Sequence, residues 1–245
     1  RAQGCAIVGL DEADTVIINT CGFIEEAKKE SIDTILDVIR MKSQGKVKKI
    51  IVAGCLSERY AQELRKEFPE VDEFRGIQKL VQDKVQKQVR LTPEYLAYLK
   101  ICESCFNHCA FCVIPKIKGK FSSRHIDSVL AEAQRLDRDG VRELNIVGQD
   151  ITAYGMDLQR RKMLAELVRS LCARLRSVQW IRLLYMYPAH ITDELLQVIA
   201  EEKKVCKYID VPLQHISDRI LKVMKRGITT RQTYALIEKI RKAIP

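Results

Sequence analysis

Short apolar runs alternate with longer amphipathic stretches along this chain, and that alternation constrains its fold more than any other feature. Thr15-Val16-Ile17-Ile18-Asn19 and Lys49-Ile50-Ile51-Val52 read as buried strands, each running into a turn that carries a cysteine, Thr20-Cys21-Gly22 and Gly54-Cys55. Between them Ile24, Ala27, Ile32, Ile35, Leu36 and Ile39 share one helical face. Glu25 and Glu26 come early in that stretch and Arg40 and Lys42 late, the order a helix dipole favours. A second helix is expected from about Ser57 to Phe68, before Pro69. Strand–helix–strand order of this kind specifies an α/β unit with a parallel sheet. Both Cys21 and Cys55 then fall just past strand carboxyl ends, where open α/β sheets bind their ligands.

The pattern repeats after a polar stretch punctuated by Pro93. A strand over Tyr98–Ile101 leads into a cysteine-rich loop, and helices over Asp127–Asp139, Met163–Leu175 and Thr192–Lys203 precede strands at Glu143–Val147, Trp180–Leu184 and Tyr208–Val211. Thr229-x-x-Gln232 has the residues of a capping box for a last helix. The expected architecture is α/β throughout: a small Rossmann-like parallel-sheet domain over residues 1–85, a linker at 86–94, and an incomplete (β/α) barrel over 95–245. Four strands are too few to close a barrel, and the chain starts at Arg1 rather than Met and stops at Pro245. A native N-terminus and the last barrel strands are therefore expected beyond it.

Composition narrows the classes. The 245 residues carry a formal charge of +10, which suits an anionic partner such as RNA or a ribonucleoprotein as well as a merely well-solvated surface. No run reaches the roughly 18 apolar residues of a membrane span, and no signal peptide is visible, so a cytoplasmic location is expected. Nine cysteines, an odd number without a secretory signal, argue against a disulfide framework and for metal or catalytic use.

Four of those cysteines, Cys102, Cys105, Cys109 and Cys112, lie within one short loop. A structural zinc site separates its paired knuckles by a dozen or more residues, and only three separate them here. A ferredoxin-type cluster wants C-x2-C-x2-C with a remote fourth cysteine and an adjacent proline, which this loop lacks. Four inert core cysteines so close together would be unusual packing. Cys105-x3-Cys109-x2-Cys112 suits a cubane iron–sulfur cluster held at three corners, its fourth iron open to an external ligand. Cys102 remains an alternative ligand.

This loop, following a first barrel strand, resembles that of the radical S-adenosylmethionine superfamily. The resemblance implies that the open iron binds S-adenosylmethionine and reduces it to release a 5′-deoxyadenosyl radical. It also implies that Phe111 packs near the adenine, although a core aromatic is an equal reading from the residues alone. Gly4-Cys5, Asn19-Thr20-Cys21-Gly22-Phe23 and Gly54-Cys55-Leu56 are similar to the three cysteine motifs of the methylthiotransferases, in which they hold a second cubane cluster. Within that family, Gly148-Gln149-Asp150-Ile151-Thr152-Ala153-Tyr154-Gly155, Tyr187-Pro188 and Tyr208-Ile209-Asp210-Val211-Pro212-Leu213-Gln214-His215 look like the branch that modifies ribosomal protein uS12. Departures are Cys102 and Ser104 where serine and glycine are usual and a short Cys5–Cys21 interval, and the sequence stops at Pro245, before the place where the family's C-terminal TRAM domain is expected.

The resemblance implies addition of a methylthio group to the β-carbon of an aspartate in that ribosomal protein, with two 4Fe–4S clusters and S-adenosylmethionine as cofactors. Cys5, Cys21 and Cys55 would hold one cluster and Cys105, Cys109 and Cys112 the other. Gln149, Asp150, Gln214 and His215 end strands at the presumed active face and suit contact with S-adenosylmethionine or substrate, or hydrogen bonds that hold the loops. Implied partners are the small ribosomal subunit and an electron donor such as flavodoxin or ferredoxin, with the enzyme a monomer. A tRNA-adenosine methylthiotransferase is the neighbouring alternative, and a non-catalytic iron–sulfur scaffold or electron-transfer module the alternative of another class. His108, His125 and His190 need no special role, and Cys172 and Cys206 sit in core-like positions.

Overall fold

The computed structural model describes residues 6–77 and 92–245. Two compact units divide them: residues 6–77 with 116–118, and residues 92–115 with 119–245. The expected linker at 86–94 and the boundary at 85 lie largely outside the described residues.

In the first unit, β1 (Thr15–Thr20), β2 (Lys49–Gly54) and β3 (Glu73–Arg75) form a parallel sheet in the order β1-β2-β3. Between β1 and β2 runs α1 (Glu25–Ser43), which lays Ile35 and Val38 against Ile50 and Val52 of β2, Leu64 and Phe74. Of the expected helix face, Ile24 and Leu36 are exposed instead, Ile24 because it stands at the helix N-cap. The expected helix over Ser57–Phe68 is two pieces, α2 (Cys55–Arg59) and α3 (Ala61–Glu67), because Tyr60 leaves the helical region at φ −127° and ψ 33°. The three-residue β3 is too short for periodicity to reveal. Asp72, just before it, accepts from Ile50 N–H at 2.7 Å and from Lys42 Nζ at 2.6 Å, and the Lys42 bond followed by the Ile50 bond pulls its pKa below the usual carboxylate value.

The second unit is built on β4 (Leu96–Lys100), β7 (Glu143–Val147) and β8 (Trp180–Leu183), parallel and in that order. A two-stranded antiparallel pair, β5 (Cys102–Glu103) and β6 (Ser122–Ser123), brackets the cysteine loop in the chain, and between them lies a short helix, α4 (Ile114–Lys118), whose last three residues belong to the first unit. Crossovers are made by α5 (Ile126–Arg138) and by α6 (Met156–Gln159) with α7 (Leu164–Arg174); α8 (Asp193–Glu201), α9 (Asp218–Val223) and α10 (Thr230–Ala243) follow. Leu99, Leu144, Ile146 and Ile181 of the strands meet Val129, Ala133, Leu167, Val168 and Leu171 of the helices in one core. The capping box at Thr229 and Gln232 is complete, each side chain bonded to the other residue's backbone.

The expected strand at Tyr208–Val211 is not formed. Among the described residues the chain bridges β8 at Ile181↔Val205, before this segment, and within the segment Asp210 O accepts from Met186 N–H at 3.0 Å. The Asp210 carboxylate takes the Tyr185 N–H at 2.8 Å, so that donor is spent on a side chain, and Pro212 has no N–H to extend a ladder. The crossover between β7 and β8 is tied down by Asp137 near the end of α5. Its carboxylate accepts from Arg176, Ser177 and Val178 N–H at 2.7–3.1 Å.

Candidate metal centre

The cysteine loop leaves β4 through the β5 residues and turns at Ser104, whose φ of 65° lies in the left-handed region that favours glycine. Ser104 is fully buried, and its hydroxyl donates to Gly119 O at 2.7 Å, a bond that glycine could not make and that offsets the strain. Cys105, Cys109 and Cys112 follow within the one loop, all half-buried. Cys112 N–H donates to Cys109 O at 3.0 Å, and Ala110 N–H donates to Met224 O at 3.0 Å, pinning the loop to the turn after α9.

N–H donors point at two of the three sulfurs. Asn107 approaches Cys105 Sγ with its backbone N–H at 3.4 Å and its Nδ2 at 3.5 Å, and Arg226 Nη1 lies 3.4 Å from Cys109 Sγ. Burial pushes the Cys105 thiol up, with the Asn107 donors pulling the other way. Such donors stabilise sulfur that carries negative charge, which suits thiolate ligands of an iron–sulfur cluster. Among the described residues no three His, Cys, Asp or Glu side chains converge closely enough to hold one metal ion. Ligands on a single tetrahedral ion at about 2.3 Å crowd together, whereas cubane thiolates each bind a separate iron. Three half-buried thiols in one loop, two of them facing N–H donors, suit the larger group.

Cys102 has a different environment. It is 1% exposed, donates to Asp150 O at 3.6 Å, and packs so closely on Gly148 that a Cβ there would stand 2.4 Å from its sulfur. Burial, then the nearby Asp150 charge, pushes its thiol up to about 12. Cys102 is thus a core residue bonded to backbone, more deeply buried than the other three. The thiol of Cys172 is likewise pushed up to about 12 by burial, and that of Cys206 is raised for the same reason.

Asp150 organises the floor of the loop. Its Oδ1 accepts from Thr152 N–H at 3.1 Å and Thr152 Oγ1 at 2.5 Å, while its Oδ2 meets Asn107 Nδ2 at 2.7 Å and His190 Nδ1 at 3.0 Å. Thr152 Oγ1 in turn accepts from Tyr187 N–H at 3.1 Å, and the Tyr187 ring lies 4.9 Å from that of His190. Burial and then the neighbouring Cys109 raise the Tyr187 pKa. Asn107 and Arg226 carry no mark in the sequence, His190 is expected to have no special role, and Tyr187-Pro188 stands only as a family resemblance. Spacing carries no signal for contacts made from separate βα loops.

The remaining expected contacts are placed as follows. Phe111 is 52% exposed, which removes the core-aromatic reading. Gln149 is half-buried with its Oε1 buried and unpartnered among the described residues. Gln214, at φ 73°, and His215 are exposed, and His215 Nδ1 accepts from Ser217 N–H at 3.0 Å.

In the first unit, Cys21 and Cys55 stand beside each other at adjacent strand ends, since Thr20 and Gly54 pair in register. Ser31 accepts from Cys21 N–H at 3.1 Å and holds that turn to α1. Gly22 fits only because it lacks a Cβ, which would stand 2.9 Å from the Cys55 backbone. Gly54, at φ 106°, provides the sharp exit that starts α2 at Cys55. Cys5 lies outside the described residues.

Residues 1–76 match the model described as Uncharacterized protein family UPF0004. A protein of Chloroherpeton thalassium named ribosomal protein uS12 methylthiotransferase RimO is 49% identical over 96% of this chain and 56% of its own length. Proteins of the same name from Geobacter sulfurreducens and Clostridioides difficile are 47% and 41% identical over 96% and 99% of this chain. The chain spans 56–60% of the length of these relatives. In fold it is similar to a radical S-adenosylmethionine methyltransferase, TsrM, from Kitasatospora setae, with a TM-score of 0.60 at 15% identity, covering 95% of this chain and 55% of that one. Residues 99–245, with the cysteine loop and every βα unit after it, match the radical SAM superfamily model, and the chain belongs to that superfamily.

Proposed function

We propose that this chain is the cluster-bearing part of a methylthiotransferase that modifies an aspartate of ribosomal protein uS12, using two 4Fe–4S clusters and S-adenosylmethionine. The observation that carries the reading is the Cys105-x3-Cys109-x2-Cys112 loop at the carboxyl end of β4, with N–H donors aimed at two of its sulfurs. Relatives of that name, similar over nearly all of this chain, support the substrate assignment.

Cys105, Cys109 and Cys112 would hold one cluster, and Cys5, Cys21 and Cys55 the other. When bound, cluster and S-adenosylmethionine together supply a reducing electron and a means of removing hydrogen from an unactivated carbon. The chain's own residues bind and orient. Phe111 offers an exposed ring face, Gln149 a buried carbonyl without a partner among the described residues, and Gln214 and His215 an exposed polar edge to S-adenosylmethionine or the substrate. Asp150 works one step back, by fixing Asn107 and His190. The chemistry calls for a low-potential one-electron donor of the flavodoxin or ferredoxin kind, and the +10 charge suits approach to the small ribosomal subunit. We place the enzyme in the cytoplasm as a monomer; none of the helices among the described residues is long and apolar enough to cross a membrane.

The test is mass spectrometry of a strain lacking the gene. The methylthio mass increment should disappear from uS12 and remain on tRNA. Its persistence on uS12 with loss from tRNA would replace the substrate assignment with the tRNA reading.

A further inference from the structure

Arg226 is 4% exposed, yet among the described residues no carboxylate pairs with it. It sits in a tight turn after α9, with Lys225 at φ 55° and Gly227 at φ 63°, and the turn directs its side chain back toward the cysteine loop. Nη2 donates to Pro212 O at 2.5 Å, the guanidinium lies 4.3 Å from the centre of the Tyr187 ring, and Nε is buried without a partner among the described residues. The remaining contact is Nη1 to Cys109 Sγ at 3.4 Å.

An arginine is protonated at any pH at which a protein is folded, and a buried charge without an opposite charge is costly. A carbonyl oxygen and an aromatic face are only partial charges. Among the described groups that its guanidinium touches, the one that can carry a full negative charge is the Cys109 sulfur, once it is a thiolate ligand. Cationic donors at cluster sulfurs stabilise the more negative, reduced state over the oxidised one, and so raise the reduction potential.

We propose that Arg226 is the charge partner of the Cys109 thiolate, a positioning residue that raises the reduction potential of the cluster held by this loop. The inference rests on the cluster assignment above. It adds a residue more than a hundred positions away that tunes the site.

The test uses the chain with Cys21 and Cys55 both replaced by alanine, so that only the Cys105–Cys112 loop can load. After anaerobic reconstitution with iron and sulfide, the midpoint potential is measured by dithionite titration with electron paramagnetic resonance. Arg226→Gln keeps amide donors and removes the charge, and its midpoint should move to a more negative value. Arg226→Lys keeps the charge and should stay near the parent. Loss of iron from the glutamine variant but not the lysine variant would also support a charge role. Unchanged potential in a loaded Arg226→Gln, equal shifts in both variants, or equal loss of iron from both would overturn it, because geometry alone would then explain the residue. A parent that takes up no iron would instead sink the cluster assignment itself.

Discussion

Asp150 is where the loop geometry is most exposed to a single substitution. Its carboxylate is 1% exposed and gathers Thr152 N–H and Oγ1 on one oxygen, with Asn107 and His190 on the other. Hydrogen bonds to a charged group contribute about 1.5–3 kcal/mol each, and an orphaned buried donor costs about 1–3 kcal/mol. Asp150→Ala strands both Thr152 donors, which are themselves 1% exposed, so about 3–5 kcal/mol should be lost. Asp150→Asn can keep Oδ1 for Thr152 but faces the Asn107 amide with a second NH2 group. It should cost about 1–2 kcal/mol, and turn Asn107 away from Cys105 Sγ. Denaturant unfolding of the apo chain at constant m measures the first effect, and the rate of iron loss to a chelator from the loaded chain measures the second. If Asp150→Ala unfolds within about 0.5 kcal/mol of the parent, or Asp150→Asn releases iron no faster, the carboxylate does not hold the loop.

Three further substitutions separate the roles assigned to individual residues. Burial pushes the Asp137 carboxyl up, but the N–H groups of Arg176, Val178 and Ser177 outweigh it, and its pKa ends below the usual value. Its contribution is therefore full above the unfolded pKa of about 3.9 and lost as pH falls through the lower folded value. Asp137→Asn should remove about 2–3 kcal/mol at neutral pH and flatten the acid limb of a stability–pH curve; an unchanged acid limb would refute the assignment. Cys102→Ala should keep the parent's iron content while losing about 1–2 kcal/mol of stability, whereas loss of iron would make Cys102 a ligand. Gly22→Ala drives a Cβ to 2.9 Å from the Cys55 backbone, so it should cost about 1–3 kcal/mol and reduce iron retention at the Cys21 and Cys55 loops. Wild-type stability and iron content would show that those loops can separate.

Much of the scaffold was legible because periodicity reports local structure. The β7 boundaries Glu143–Val147, the α5 and α7 helices to within a residue, and the Thr229 cap all follow from patterns a few residues long. What escaped depends on long-range partners. The Tyr208–Val211 run has a strand's composition, but its neighbour's N–H groups are taken by Asp210, first by its carboxylate and then by its carbonyl. Spacing nominated Cys105, Cys109 and Cys112 yet left Cys102 open, and only its packing against Gly148 and the Asp150 carbonyl sets it apart. Arg226 and His190 reach the loop from turns far along the chain, and nothing in their local sequence marks them.

The most direct test of the account is the spectrum of the loop's cluster with and without S-adenosylmethionine. With Cys21 and Cys55 replaced by alanine, the reconstituted chain should hold about four irons, and its reduced electron paramagnetic resonance signal should change when S-adenosylmethionine is added. Cys109→Ala in the same background should abolish both. A loaded cluster whose signal ignores S-adenosylmethionine, or iron that survives loss of Cys109, would contradict an open iron held by Cys105, Cys109 and Cys112.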